Sequence, residues 1–160
     1  MNRDALIALT APILFFLALS FIALGPCLIV MAFHLDDYGW AYAVGHSMYP
    51  TIKSGAIIIF DKTPDQIKLG DIIVYKYWIP PQYIAYYPPQ YLCKWILIGH
   101  RVVAITDRGY YVLGDNNTMV DPWIVPKKDV VGKVVWIIND EPFKSIALFW
   151  FNILGYKEGV

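Results

Sequence analysis

After four residues the chain enters a long, mainly apolar run and then changes texture. No Asp, Glu, Lys or Arg occurs from Ala5 to Leu35, which exceeds the about 20 residues that a helix needs to cross a bilayer core. Pro12 and Pro26 would weaken a helix in water but are tolerated in membrane spans. The expected element is a retained transmembrane helix within an N-terminal anchor, residues 1–35. The competing element is a cleaved signal peptide, with an apolar core of about 7–15 residues and then a small-x-small site. Ala23-Leu24-Gly25 offers such a site, but Pro26 would follow the cut and also disfavours lipidation at Cys27. Arg3 lies before the run; Asp36 and Asp37 follow it, with no Lys or Arg until Lys53. Positive-inside orientation then places the N-terminus in the cytoplasm and the rest of the chain outside.

From about Tyr38 the periodicity is that of strands. Ala56–Phe60, Asp71–Tyr75, Ile96–Thr106, Tyr110–Leu113 and Val130–Ile138 are rich in Ile, Val and Tyr and bounded by Gly, Asp, Asn and Pro, the signature of β structure. The expected fold class is mainly β: a β domain over 36–142 with one N-terminal transmembrane helix. Lys76 to Trp95 interrupts the pattern. Its paired prolines, Pro80-Pro81 and Pro88-Pro89, exclude a central strand, and its Tyr and Trp suit either a membrane–water interface or a loop packed on the domain. The segment 143–160 begins with an apolar stretch too short to span a bilayer as a helix. It is expected to lie on the membrane or to pack on the β core.

Composition sharpens this picture. Hydrophobic residues make up 58% of the 160 and charged residues 16%, both displaced from soluble averages toward a membrane-associated protein. The formal net charge is zero, which argues against a nucleic-acid binder, since that needs a basic face. The two cysteines, Cys27 and Cys93, form no disulfide framework. Neither stands at metal-ligand spacing from another Cys or a His, so no zinc site is expected.

Candidate chemistry lies in three places. Ser47 follows Gly45-His46 and precedes Met48-Tyr49-Pro50-Thr51; a nucleophile needs such a fixed, exposed backbone with amide groups free to hold an oxyanion. His100 lies within a strand, and Asp107-Arg108-Gly109 signals a hairpin after it. If Thr106 pairs with Tyr110, His100 faces Asn116; if Asp107 pairs with Tyr110, it faces Asn117. Either register sets His100 beside the turn Gly114-Asp115-Asn116-Asn117, with neighbouring side chains about 5–8 Å apart. Asp115 and Asp121 both qualify as the carboxylate of a Ser-His-Asp triad. His46 is the rival base, but adjacent side chains of an extended segment point to opposite faces.

Taken in order, Ser47-Met48-Tyr49-Pro50-Thr51, Gly70-Asp71-Ile72-Ile73-Val74, Gly99-His100-Arg101-Val102-Val103, Gly114-Asp115-Asn116-Asn117 with Asp121, and Lys128-Asp129-Val130-Val131-Gly132 resemble the blocks of the type I signal peptidase family. The histidine makes the chain similar to the archaeal and endoplasmic-reticulum branch, not the bacterial Ser-Lys branch. The resemblance implies Ser47 as nucleophile, His100 as general base, Asp121 as acidic partner and Asp115 as a nearby structural or electrostatic carboxylate. It implies a membrane-bound serine endopeptidase that removes signal peptides from exported preproteins, cutting after small residues at the first and third positions before the bond. Secretory preproteins, the lipid bilayer and protein-export machinery are the expected partners; no cofactor and no nucleic acid are expected. The expected location is the cell membrane, with the catalytic domain on the extracytoplasmic face, or the endoplasmic-reticulum membrane in a eukaryote. Two departures stand out. His46 replaces the usual Gly, and Gly45 occupies the place where bacterial relatives carry an oxyanion-donating Ser, leaving a second oxyanion donor unassigned. Rival functions are a same-fold peptidase maturing one dedicated envelope or pilin-like precursor, and a non-catalytic membrane-tethered module that binds peptides by strand addition.

Overall fold

The computed structural model describes residues 12–20, 37–80 and 94–153. The chain divides into two compact units, Met1–Leu35 and Asp36–Val160. In the first, residues 12–20 are helical (α1). The rest of the expected N-terminal span lies outside the described residues, as do Cys27 and Cys93. Among the described residues no helix is long and apolar enough to cross a membrane.

The second unit carries a six-stranded antiparallel sheet in the order β1-β2-β6-β3-β4-β5. The strands are β1 (Tyr38–Tyr42), β2 (Ile57–Asp61), β3 (Ile72–Trp78), β4 (Trp95–Thr106), β5 (Gly109–Leu113) and β6 (Val130–Ile138). Four of the five strands expected from sequence shift at their ends, and β6 keeps its expected bounds. The additional strand is β1, which contains Gly39 and no Ile or Val; it pairs with β2 from Tyr38↔Asp61 to Tyr42↔Ile57.

β3 explains how one sheet builds two apolar layers. Ile72 and Val74 join Met48, Ile52, Ala56, Ile58 and Phe60 in one cluster. Ile73 and Tyr75 join Val102, Tyr110, Val112 and Val125 in another. Successive strand side chains point to opposite faces, so a continuous apolar run belongs to a strand covered on both sides. The strand also runs further than its prolines suggested. Lys76, Tyr77 and Trp78 pair with Leu97, Ile96 and Trp95, and the Trp78 and Trp95 rings meet edge to face at 5.5 Å. Residues 81–93, the centre of the proline-aromatic stretch, lie outside the described residues.

The hairpin register corrects both sequence readings. Thr106 pairs with Gly109, not with Tyr110, because Asp107-Arg108 alone makes the turn. A bulge then intervenes: Ala104 pairs with Tyr111 but Val102 with Val112, and the ladder ends at Arg101↔Leu113. Val103 is the extra residue, and such an insertion slips the register by one.

After β6 the chain forms α2 (Phe143–Ile153). The Glu141 carboxylate accepts from Ser145 N–H at 3.2 Å and from Ser145 Oγ at 2.7 Å, engaging an amide that the first helical turn leaves without a carbonyl partner. Ala147 and Phe151 are buried, four residues apart on one face. Phe151 stacks on Trp40 of β1 with centroids 5.0 Å apart. Phe143 and Phe149 are exposed.

Candidate active site

The segment between β1 and β2 holds Ser47. Gly45 adopts φ +100°, a conformation that side chains beyond glycine rarely tolerate. The chain then turns: Tyr49 N–H donates to His46 O at 3.1 Å and Ile52 N–H to Met48 O at 2.9 Å. Met48 and Ile52 are buried and anchor the loop in the core. Asn116 N–H donates to Ser47 O at 2.8 Å, tying this loop to the turn after β5. That approach needs Gly114: a Cβ there would sit 2.6 Å from Ser47 O.

His100 lies on β4 opposite Ile73 of β3, and its side chain is buried. Its Nδ1 is 2.7 Å from Asp121 Oδ2 and its Nε2 is 3.0 Å from Ser47 Oγ. An ionised carboxylate can only accept, so Nδ1–H donates to Asp121 and Nε2 is left to accept from the Ser47 hydroxyl. Asp121 is also buried. Its backbone N–H donates to Val112 O at 2.9 Å, so the chain leaving the Gly114–Asn117 turn comes back alongside β5. Tyr75 Oη donates to the same Asp121 Oδ2 at 2.9 Å. Burial, and then the charge of Asp121, push the Tyr75 phenol well above its ordinary range, so the hydroxyl keeps its proton.

Asp115 stands apart from this chain of contacts. Arg101 Nε donates to its Oδ1 at 2.8 Å and Arg101 Nη2 to its Oδ2 at 2.6 Å, while Thr51 Oγ1 donates to Oδ2. The Arg101 guanidinium outweighs the opposing effect of burial and, with the Thr51 hydroxyl, holds the Asp115 carboxyl below the usual carboxylate range. Arg101 Nη1 donates onward to Gly70 O at 2.8 Å. The structure thus brings Ser47, His100 and Asp121 together, and gives Asp115 to a brace joining the Ser47 loop, β4 and the turn after β5. His46 is exposed; the ring that reaches the Ser47 hydroxyl is that of His100.

Sequence reasoning gave no role to Tyr75 or Arg101. Tyr75 sits in an Ile-Ile-Val-Tyr run that reads as plain core. Its only signal is a polar tip on the sheet face that also carries His100. Arg101 had a clearer signal, a cation one residue after the histidine and before the acidic turn.

Ser47, His100 and Asp121 line a cleft of about 410 Å³, whose wall also includes Ala41, Ala43, Leu97 and Gly99. An imidazole poised between a hydroxyl and a buried carboxylate can take the hydroxyl proton and be stabilised as imidazolium. The cleft beside it, lined by Ala41, Ala43 and Gly99 together with larger apolar side chains such as Ile52, Ile58 and Leu97, can admit a peptide bond. Among the described residues no group of three His, Cys, Asp or Glu side chains is placed to hold a metal ion.

Residues 20–78 match the family model described as Peptidase S24-like. The matched stretch contains Ser47 and ends before His100, Asp115 and Asp121. No curated protein matches the chain. The family match, together with the antiparallel sheet, supports a serine-peptidase-type protein of the S24 and signal-peptidase-like superfamily.

Proposed function

We propose that this chain is a membrane-bound serine endopeptidase of the Ser-His-Asp type, of the archaeal and endoplasmic-reticulum branch, that removes signal peptides from exported preproteins. The observation that carries the reading is the continuous path from Ser47 Oγ through the His100 ring to Asp121 Oδ2, at 3.0 and 2.7 Å.

In the first half-reaction the Ser47 hydroxyl proton passes to His100 Nε2 as Oγ bonds to the scissile carbonyl carbon. Asp121 holds Nδ1–H and stabilises the imidazolium. The carbonyl oxygen takes the negative charge and faces the Ser47 amide, which donates to no backbone carbonyl among the described residues. Collapse breaks the C–N bond, and His100 Nε2–H protonates the departing amine. Water then gives a proton to Nε2 and its oxygen to the acyl carbon; Ser47 Oγ leaves and regains its proton from His100.

Ile52, Ile58, Val74 and Leu97 in the cleft wall make it largely apolar, which suits small uncharged substrate side chains before the cut. Among the described residues β1 is an outer strand of the sheet, a position that suits an extended peptide held by strand addition. The apolar run from Ala5 to Leu35 would anchor the enzyme in the membrane, with the β domain on the extracytoplasmic face. Preproteins, the bilayer and the export machinery are the partners of this reading.

The test is to incubate detergent-solubilised protein with a preprotein and to identify the new N-terminus by mass spectrometry. A single cut after a small-x-small sequence at the end of the signal peptide is expected. Cleavage at scattered sites, or none, would overturn signal-peptide removal.

A further inference from the structure

Asp121 is held by three strands at once. β5 holds its backbone, through Asp121 N–H to Val112 O at 2.9 Å. β4 holds its carboxylate through His100 Nδ1 at 2.7 Å. β3 holds the same oxygen through Tyr75 Oη at 2.9 Å. The third contact is outside the triad, and the mechanism above does not use it.

The sheet geometry makes this contact deliberate in register. His100 pairs with Ile73, and Tyr75 pairs with Ile98. Ile73 and Tyr75 are two apart and share a face, so His100 and Tyr75 are diagonal neighbours on it, a separation long side chains can bridge. Asp121 Oδ2 bridges their polar tips. Tyr75 has 1% relative exposure and packs with Ile73, Val102, Val112 and Val125. A phenylalanine would fill that apolar space equally well. The hydroxyl is therefore what distinguishes Tyr75 from core, and its hydrogen bond goes to the carboxylate.

We propose that Tyr75 is a positioning residue of the active site: its hydroxyl fixes the Asp121 carboxylate so that His100 presents Nε2 to Ser47. This rests on the Ser47-His100-Asp121 reading above. Without the hydroxyl, Oδ2 loses one of two donors in a buried site. The carboxylate can then rotate, and the imidazole loses the orientation that its Nδ1–H bond imposes. A buried hydrogen bond to a charged group controls an effect of about 10- to 100-fold, so that is the loss of kcat expected in Tyr75→Phe, with KM near wild type.

The experiment is a double-mutant cycle on the full-length protein in detergent, using one preprotein-derived peptide. Tyr75→Phe, Asp121→Asn and the double variant are assayed beside Ser47→Ala, each with a thermal melt. If Tyr75 acts through Asp121, the double variant should be no slower than Asp121→Asn alone, because the carboxylate it positions is already gone. Multiplying losses would overturn the proposal and make Tyr75 an independent packing residue. So would wild-type kcat in Tyr75→Phe, or loss of its thermal transition, which would put the hydroxyl in the fold and not in the site. Retained activity in Ser47→Ala is the separate signature that the triad reading itself has failed.

Discussion

At the residue scale, two aspartates six positions apart have different surroundings. Asp121 is buried between a histidine and a tyrosine; Asp115 is gripped by an arginine and a threonine. Asp121→Asn keeps the volume but offers His100 an amide, which can stabilise the wrong tautomer. A fall in kcat of roughly 10³- to 10⁴-fold with little change in Tm is expected. Asp115→Asn should do the reverse, losing thermal stability first. Its acid behaviour identifies the cause. Arg101 holds the folded carboxyl below its unfolded value of about 3.9. Between those two values the unfolded chain binds more protons, so the contribution of Asp115 is complete above the unfolded value and drains away as pH falls through the folded one. The stability gap between wild type and Asp115→Asn should be constant above about pH 5 and close below that window; denaturant titrations at stepped pH would show it. A gap that persisted unchanged into acid would assign the variant's cost to packing. Ser47, His100 and both aspartates were legible in sequence because their residue types are unusual for where they stand: a serine before a proline turn, a histidine in an apolar strand, carboxylates at a glycine turn. Which aspartate meets the histidine was not legible, since it depends on how the chain after Asn117 returns along β5.

At the element scale, the strands of the central sheet were legible because Ile, Val and Tyr cluster between turn residues. The hairpin register was not, because nothing in Arg101-Val102-Val103-Ala104 marks Val103 as a bulge; the insertion emerges only when both strands find their partners. β1 was missed for a related reason. It contains no Ile or Val, and its apolar content serves α2 as well as the sheet, through Trp40 against Phe151. That contact is testable. Phe151 is buried, and removing such a ring costs about 3–5 kcal/mol in a well-packed core. Phe151→Ala should therefore lower unfolding stability by an amount of that order, read by chemical denaturation, whereas Phe149→Ala on the exposed face should cost less than about 0.5 kcal/mol. Equal costs would mean that α2 is not held to the sheet through Phe151.

At the scale of the whole molecule, the proposed membrane attachment rests on composition and on the charge-free run from Ala5 to Leu35. The β domain argues for hydrolysis, through a family match over residues 20–78 and three side chains drawn from distant parts of the sequence into one cleft. Ser47 comes from the loop after β1, His100 from β4 and Asp121 from the strand-like return along β5. The most direct measurement is the turnover of Ser47→Ala on a preprotein-derived peptide, set against wild type at equal folded concentration. The hydroxyl borders an open cleft, so its removal leaves packing intact and Tm should not move. Turnover should fall by about 10³-fold or more, with the remainder due to binding and the oxyanion site. Turnover within a few-fold of wild type in a folded Ser47→Ala protein would contradict a serine nucleophile at this site.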